Sequence, residues 1–86
     1  MLDQTTLQTN VPDWKYDGHK LIRTFTFKNF TEAFAFMMKV AFIAEKMDHH
    51  PNWSNVYNVV EIQLFTHSKQ AVTTLDMKFA QQVDLL

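Results

Sequence analysis

The sequence predicts an α+β fold: a four-stranded antiparallel sheet with helices packed on one face. Two stretches of period-2 alternation, residues 20–28 and 53–67, flank one long segment of helical period, and that order carries the expectation. No Gly/Ser linker, repeat or long charge run divides the 86 residues, so a single domain spanning residues 1–86 is expected. Cysteine is absent, which removes disulfides and thiolate metal sites, and the core must come from the 47% of residues that are hydrophobic. Eight Phe and two Trp supply large buried areas per residue for so short a chain.

Taken in order, residues 3–10 are expected to form a short helix with Leu7 inward, ended by Pro12. Asp17-Gly18 is a tight-turn signal between extended segments at about 13–16 and 20–28, which predicts a hairpin. In its second strand Leu21, Arg23, Phe25 and Phe27 share one face, and Ile22, Thr24 and Thr26 share the other. Arg23 is the exception on the apolar face and is expected near an edge.

Asn29 followed by Glu32 fits a capping box, so the segment from Phe30 to about Asp48 reads as a long helix. Its apolar stripe runs through Phe30, Ala33, Phe34, Met37, Val40, Ala41, Ala44 and Met47, widened by Phe36, Phe42 and Ile43. A stripe that wide predicts either a thick core or an outer arc packed on another subunit. Pro51 disfavours helical geometry at His50, which sets the helix end near His49.

Beyond Pro51, the run from Trp53 to His67 reads as extended. Val56, Val60, Ile62 and Leu64 fall on one face, and Tyr57, Val59, Glu61, Gln63, Phe65 and His67 on the other. A turn near Asn58 would split the run into two strands and bring the sheet to four; periodicity alone leaves that open. Thr73 with Asp76 resembles a helix start, followed by an apolar side of Met77, Ala80 and Val83 or Leu85.

A net charge of -1 and a pI near 6.4 supply no basic field for phosphate backbones, so direct nucleic-acid binding is not expected. Met1 to Asn10 lacks the basic start and apolar run of a secretory signal, and no stretch approaches the roughly 18 to 20 apolar residues of a membrane span. A cytoplasmic protein with no membrane partner is the expectation.

The chemistry-bearing residues cluster. Glu45, His49-His50-Pro51, Tyr57, His67 and Asp76 place three imidazoles, two carboxylates and a phenol in the second half of the chain. Imidazole exchanges protons near neutral pH, so the group points to proton transfer. A metal site is the rival chemistry, but adjacent His49 and His50 point in different directions on any regular element, so no metal is expected. Ser54 and Ser68 lie in no nucleophile-elbow context.

The full pattern, Glu45-x3-His49-His50-Pro51-x5-Tyr57-x9-His67-x8-Asp76, resembles the signature of the pterin-4a-carbinolamine dehydratases (4a-hydroxytetrahydrobiopterin dehydratases). The likeness extends over roughly residues 14 to 83. It takes in Trp14, Asp17-Gly18, the run from Leu21 to Phe30, Thr66-His67, and Thr73 with Asp76. It implies dehydration of 4a-hydroxytetrahydrobiopterin to quinonoid dihydropterin and water, by histidine acid/base catalysis with neither metal nor organic cofactor, in tetrahydrobiopterin recycling.

By motif position the resemblance implies that His49 and His67 form the proton-transfer pair while His50 holds the pterin. Asp48 and Thr66 match pterin-contacting positions, and Glu45 and Asp76 match acidic positions that orient or polarise a histidine. Trp14 is expected to wall the pocket. Plainer roles stand beside these: Asp76 as the capping partner of Thr73, Glu45 as a solvated i, i+4 neighbour of His49, Trp53 and Tyr57 as sheet aromatics, and His19 as a surface residue.

Two departures are visible, Ala71 where the family usually has glycine and Phe65 where animal relatives often have a small polar residue. The resemblance also implies a homodimer or homotetramer, associating through strand edges or helices. Because some animal relatives serve as dimerisation cofactors of a homeodomain transcription factor, a transcription-factor partner or a non-catalytic pterin-binding or assembly role is the alternative. Phe36, Lys39 and Ile43 are the positions expected on the exposed side of the long helix.

Overall fold

A side-chain cap starts each of the three α-helices. The structure, a computed structural model, describes residues 2–86. Asp3 accepts the Thr6 amide and starts α1 (Gln4–Asn10), whose Leu7 is buried. A hairpin follows, β1 (Lys15–Tyr16) against β2 (Leu21–Thr26), with Gly18 at φ 94 in the turn, a backbone angle that glycine adopts without strain. The long helix α2 (Phe30–Met47) leads to a second hairpin, β3 (Asn52–Val56) and β4 (Val59–Leu64). A 3₁₀ turn (His67–Lys69) and α3 (Thr74–Asp84) complete the chain.

The four strands form one antiparallel sheet in the order β1-β2-β4-β3. Leu21, Val60, Ile62 and Leu64 on one face bury against Leu7, Val40, Ala44, Phe79, Ala80 and Val83, so all three helices cover the same side. This is the expected α+β architecture. The turn at Tyr57 and Asn58 splits the run 53–67 and makes the sheet four-stranded.

That same turn corrects one face assignment. Val56 pairs with Val59 and not with the buried row, and it is 75% exposed. Tyr57, at φ 50, breaks the alternation, and Trp53 and Asn55 take the core-facing places opposite Ile62 and Val60. Arg23 lies in an inner strand, yet β1 pairs only as far as Ile22, so β4 alone flanks it. Its guanidinium lies over the Phe25 ring and bonds Asp84 at 2.7 Å.

In α2, Asn29 accepts the Glu32 amide, but the Glu32 carboxylate takes the Lys28 amide, so the reciprocal half of the expected capping box is not formed. The buried arc is also narrower than the apolar stripe. Ala33, Val40 and Ala44 are buried, Phe36 packs on Phe25 and Phe27, and Ile43 is half-buried, whereas Phe30, Phe34, Met38 and Phe42 face outward. Phe36 and Ile43 therefore belong to the core side. A small sheet reaches only one flank of an 18-residue helix, and the other flank stays open.

Candidate functional site

The site begins with the way α2 stops. Asp48 adopts the left-handed conformation at φ 50, ψ 45, and the His49 amide donates back to the Ala44 carbonyl at 3.0 Å. The Asp48 amide donates to the Glu45 carbonyl, which makes the pair of bonds a Schellman end with Asp in the position glycine usually holds. The chain reverses there and turns His49 inward toward α3. Pro51 then releases the backbone into β3.

His49 is almost enclosed, with 11% of its side chain exposed, and its Nε2 lies 2.5 Å from Asp76 Oδ1. The Phe79 ring meets the imidazole edge-on at 6.0 Å. Asp76 is fully buried, and its other oxygen, Oδ2, accepts from the Thr66 hydroxyl at 2.7 Å and from the Thr73 amide at 2.9 Å. The Thr66 and Thr73 hydroxyls are 2.9 Å apart, and the Leu75 amide donates to Thr73 Oγ1. Each hydroxyl has one proton, so Thr66 donating to Asp76 leaves Thr73 to donate to Thr66.

Burying a carboxylate costs several kcal/mol unless it is paired and hydrogen-bonded, and Asp76 is both. The two readings of Asp76 are thus one arrangement: it closes the capping box at the start of α3 and holds a histidine. A carboxylate at Nε2 fixes the proton there in the neutral ring and leaves Nδ1 with its lone pair.

His50 points the other way. Its Nε2 stands 3.3 Å from Glu45 Oε1, with 58% and 80% of the two side chains exposed. Glu45 therefore partners His50 and not His49, because the left-handed Asp48 carries His49 off the i, i+4 line. His67 opens the 3₁₀ turn three residues beyond β4, and its ring stands edge-on to Phe65 at 5.1 Å. Thr66 pairs with Ala71 across this loop, and the left-handed residue in it is Gln70, so Ala71 needs no glycine-like backbone angle.

Asp48, His49, His50, Thr66 and His67 all line one open cavity of about 640 Å³, together with Asn52, Phe65 and Leu75. Asp76 lies behind its wall and Glu45 outside it. Trp14 is elsewhere: the indole is buried near the start of β1 and donates to Asp84 at 2.8 Å, so it lines neither this cavity nor its neighbour. Tyr57 is exposed at the far hairpin turn.

An adjoining cavity of about 400 Å³ shares His50, Asn52, Phe65 and His67, and is completed by Asp17, His19, Lys20 and Gln63. His19, read from sequence as surface, thus borders the histidine cluster. No motif position marks the first hairpin turn. The signal for Gln63 was its place on the strand face shared with Phe65 and His67. The backbone amides of Lys20 and His19 donate to the Asp17 carboxylate and hold its pKa below 3.8. Among the described residues, no group of three or more His, Asp or Glu side chains is arranged to hold a metal ion. Nor is any helix there long and apolar enough to cross a membrane.

Comparison with known proteins gives consistent matches. The family model described as pterin 4 alpha carbinolamine dehydratase matches residues 2–86. A protein of Synechococcus sp., provisionally named a pterin-4-alpha-carbinolamine dehydratase, is 48% identical over 84 residues, covering 98% of this chain and 90% of the relative. A Mesorhizobium japonicum protein with the same provisional name is 49% identical over 82 residues, covering 93% and 84%. The crystal structure of a transcriptional coactivator/pterin dehydratase from Brucella melitensis superposes with TM-score 0.88 at 38% identity, covering 98% of this chain and 95% of that one. A pterin dehydratase-like protein described as a RuBisCO assembly factor of the alpha-carboxysome shares the fold, with TM-score 0.69 at 23% identity, over 84% and 83% of the two chains.

Proposed function

The chain belongs to the pterin 4 alpha carbinolamine dehydratase family, and from that premise we propose that it dehydrates 4a-hydroxytetrahydrobiopterin in tetrahydrobiopterin recycling. The N5–H bond gives its proton to a base, its electrons form the C4a=N5 double bond, and the 4a hydroxyl leaves with a proton from an acid as water. Two groups that exchange protons near neutral pH suffice for both transfers, and positioned groups of this kind contribute about 10² to 10⁴-fold each.

The observation that carries this reading is the Asp76 carboxylate on His49 Nε2, in a cavity that His50 and His67 also line. Asp76 stabilises the ring once it has accepted a proton at Nδ1, which suits His49 to the base's part. His67, on a solvent-exposed turn, exchanges protons with water and suits the acid's part. His50, with Glu45 behind it, holds the substrate, and Asp48 and Thr66, which line the same cavity, contact the pterin. Asp76 is a positioning residue. We read the protein as a cytoplasmic homodimer or homotetramer that needs no cofactor.

Stopped-flow absorbance of 4a-hydroxytetrahydropterin decay tests the proposal, with His49→Ala and His67→Ala beside the parent protein and a chelator control. Acceleration that survives chelation and falls in both variants supports it; decay at the spontaneous rate in folded protein removes it.

A second reading, an assembly module of the transcription-factor-cofactor type, draws on one observation. Phe30, Phe34, Met38 and Phe42 leave an apolar strip on α2, between 49% and 69% exposed. Such strips mark interaction surfaces. Substitution on the strip that abolishes partner binding while dehydration continues would separate the two roles.

A further inference from the structure

The dehydration mechanism uses only part of the groove. Four residues, His50, Asn52, Phe65 and His67, line both cavities, so the two are lobes of one continuous space. The lobe away from His49 is walled by the β1–β2 turn, which contributes no group to proton transfer. We propose that this lobe receives the substituent at C6 of the pterin and that Lys20, Asp17 and His19 select a short hydroxylated chain there; the proposal rests on the dehydration reading.

The argument is one of donors and acceptors. Lys20 Nζ donates to Gln63 Oε1 at 3.1 Å, and Gln63 Nε2 donates in turn to Glu61 at 2.7 Å, so the ammonium is held at the lobe with donors to spare. Asp17 Oδ1 takes the His19 and Lys20 amides, both at 2.8 Å, which fixes the carboxylate in the turn and leaves Oδ2 to accept from a ligand. Those two amides also keep the carboxylate ionised to low pH. Lys20 and Asp17 line the same lobe and offer it a donor and an acceptor of opposite charge. Hydroxyl groups, which do both, complement that pair; a phosphate or carboxylate, which only accepts, would face Asp17. The Phe65 ring, shared by both lobes, supplies an apolar wall for the carbon chain between ring and hydroxyls.

The test compares two 4a-hydroxytetrahydropterins that differ only at C6, one with a 1,2-dihydroxypropyl group and one with methyl. A net hydrogen bond supports about a fivefold effect, so the parent protein is expected to favour the dihydroxypropyl substrate about five- to tenfold in kcat/KM. Lys20→Met, at a half-buried side chain, and His19→Ala, at an exposed one, are expected to shrink that preference below about twofold, through KM and not kcat. An unchanged ratio in both folded variants overturns the proposal, as does a parent preference for a C6 chain ending in phosphate. Failure to accelerate either substrate overturns the dehydration reading itself, and the proposal falls with it.

Discussion

The imidazole of His49 and the carboxylate of Asp76 meet at 2.5 Å although one follows the end of α2 and the other lies in the first turn of α3. Both are at helix ends, and each position is imposed by that end: the left-handed Asp48 turns His49 inward, and the capping box turns Asp76 toward it. A side chain fixed in this way needs no rearrangement when the reaction begins.

Asp76→Asn should therefore be far more harmful to activity than to stability. The Thr66 hydroxyl and Thr73 amide both donate to one Asp76 oxygen, so the amide oxygen of an asparagine must face them and its NH₂ must face His49. Nε2 then becomes an acceptor and the ring proton moves to Nδ1, the wrong tautomer for a base. The expected loss in kcat is about 10²-fold or more, with Tm lowered by only a few degrees. Stopped-flow rates and thermal unfolding measure the two effects, and kcat within about threefold of the parent would sink the positioning role.

Thr66→Val should act on stability first. It removes a donor from a buried carboxylate and an acceptor from the Thr73 hydroxyl, a loss of about 1–3 kcal/mol read as a lower urea midpoint at constant m-value. Thr66→Ser restores the hydroxyl and should recover most of it.

Much of this was legible in the sequence because local signals and site signals coincide. Pro51, Thr73 and Asp76 each mark a helix end and lie close to the histidines, so reading the caps also led to the candidate site. Trp14 and Val56 were misplaced for a different reason. Alternation gives a face only while the strand continues, and the turn at Tyr57 resets it; an indole beside the first strand gives no hint that Asp84, at the far end of α3, will take its N–H. His19 and Lys20 were invisible as cavity-lining residues because only the β2–β4 pairing brings Lys20 to Gln63.

Asp48→Gly should separate stability from function. A non-glycine residue in the left-handed region costs about 1 kcal/mol, so glycine at this helix end is expected to raise stability by about 0.5–1 kcal/mol. The same change removes a carboxylate from the cavity wall, and kcat/KM should fall. Chemical denaturation and steady-state kinetics on one preparation read both. A variant that is less stable would show that the Asp48 side chain, and not its backbone angle, governs the turn.

The first hairpin turn should weaken in acid. The Lys20 and His19 amides depress the Asp17 pKa below 3.8 in the folded protein. A carboxyl with a lowered folded pKa contributes stability that is present above its unfolded value and is lost as pH falls through the folded one. The side-chain ¹³C resonance of Asp17 is expected to titrate below 3.8, and Asp17→Asn should flatten that part of the stability profile. A midpoint at or above 3.8 would contradict the fixed acceptor on which the second lobe depends.

The apolar strip on α2 gives the last prediction. Phe30 and Phe34 stack with ring centres 5.9 Å apart, and Met38 and Phe42 continue the row at i, i+4 steps along the flank that the sheet does not reach. Water against four large side chains is unfavourable, and association is the ordinary remedy. Phe34→Glu and Phe42→Glu lie outside the core, so the stability of each protomer should change by no more than about 0.5 kcal/mol. Their effect should appear in mass: sedimentation equilibrium should show the parent as a dimer or tetramer, and the double variant shifted toward smaller species. Dehydration should continue in the dissociated form, because every residue assigned to proton transfer, and Asp76 behind His49, comes from one chain. Parent and variant of equal mass would leave the strip without a role in self-association and favour a different protein as its partner.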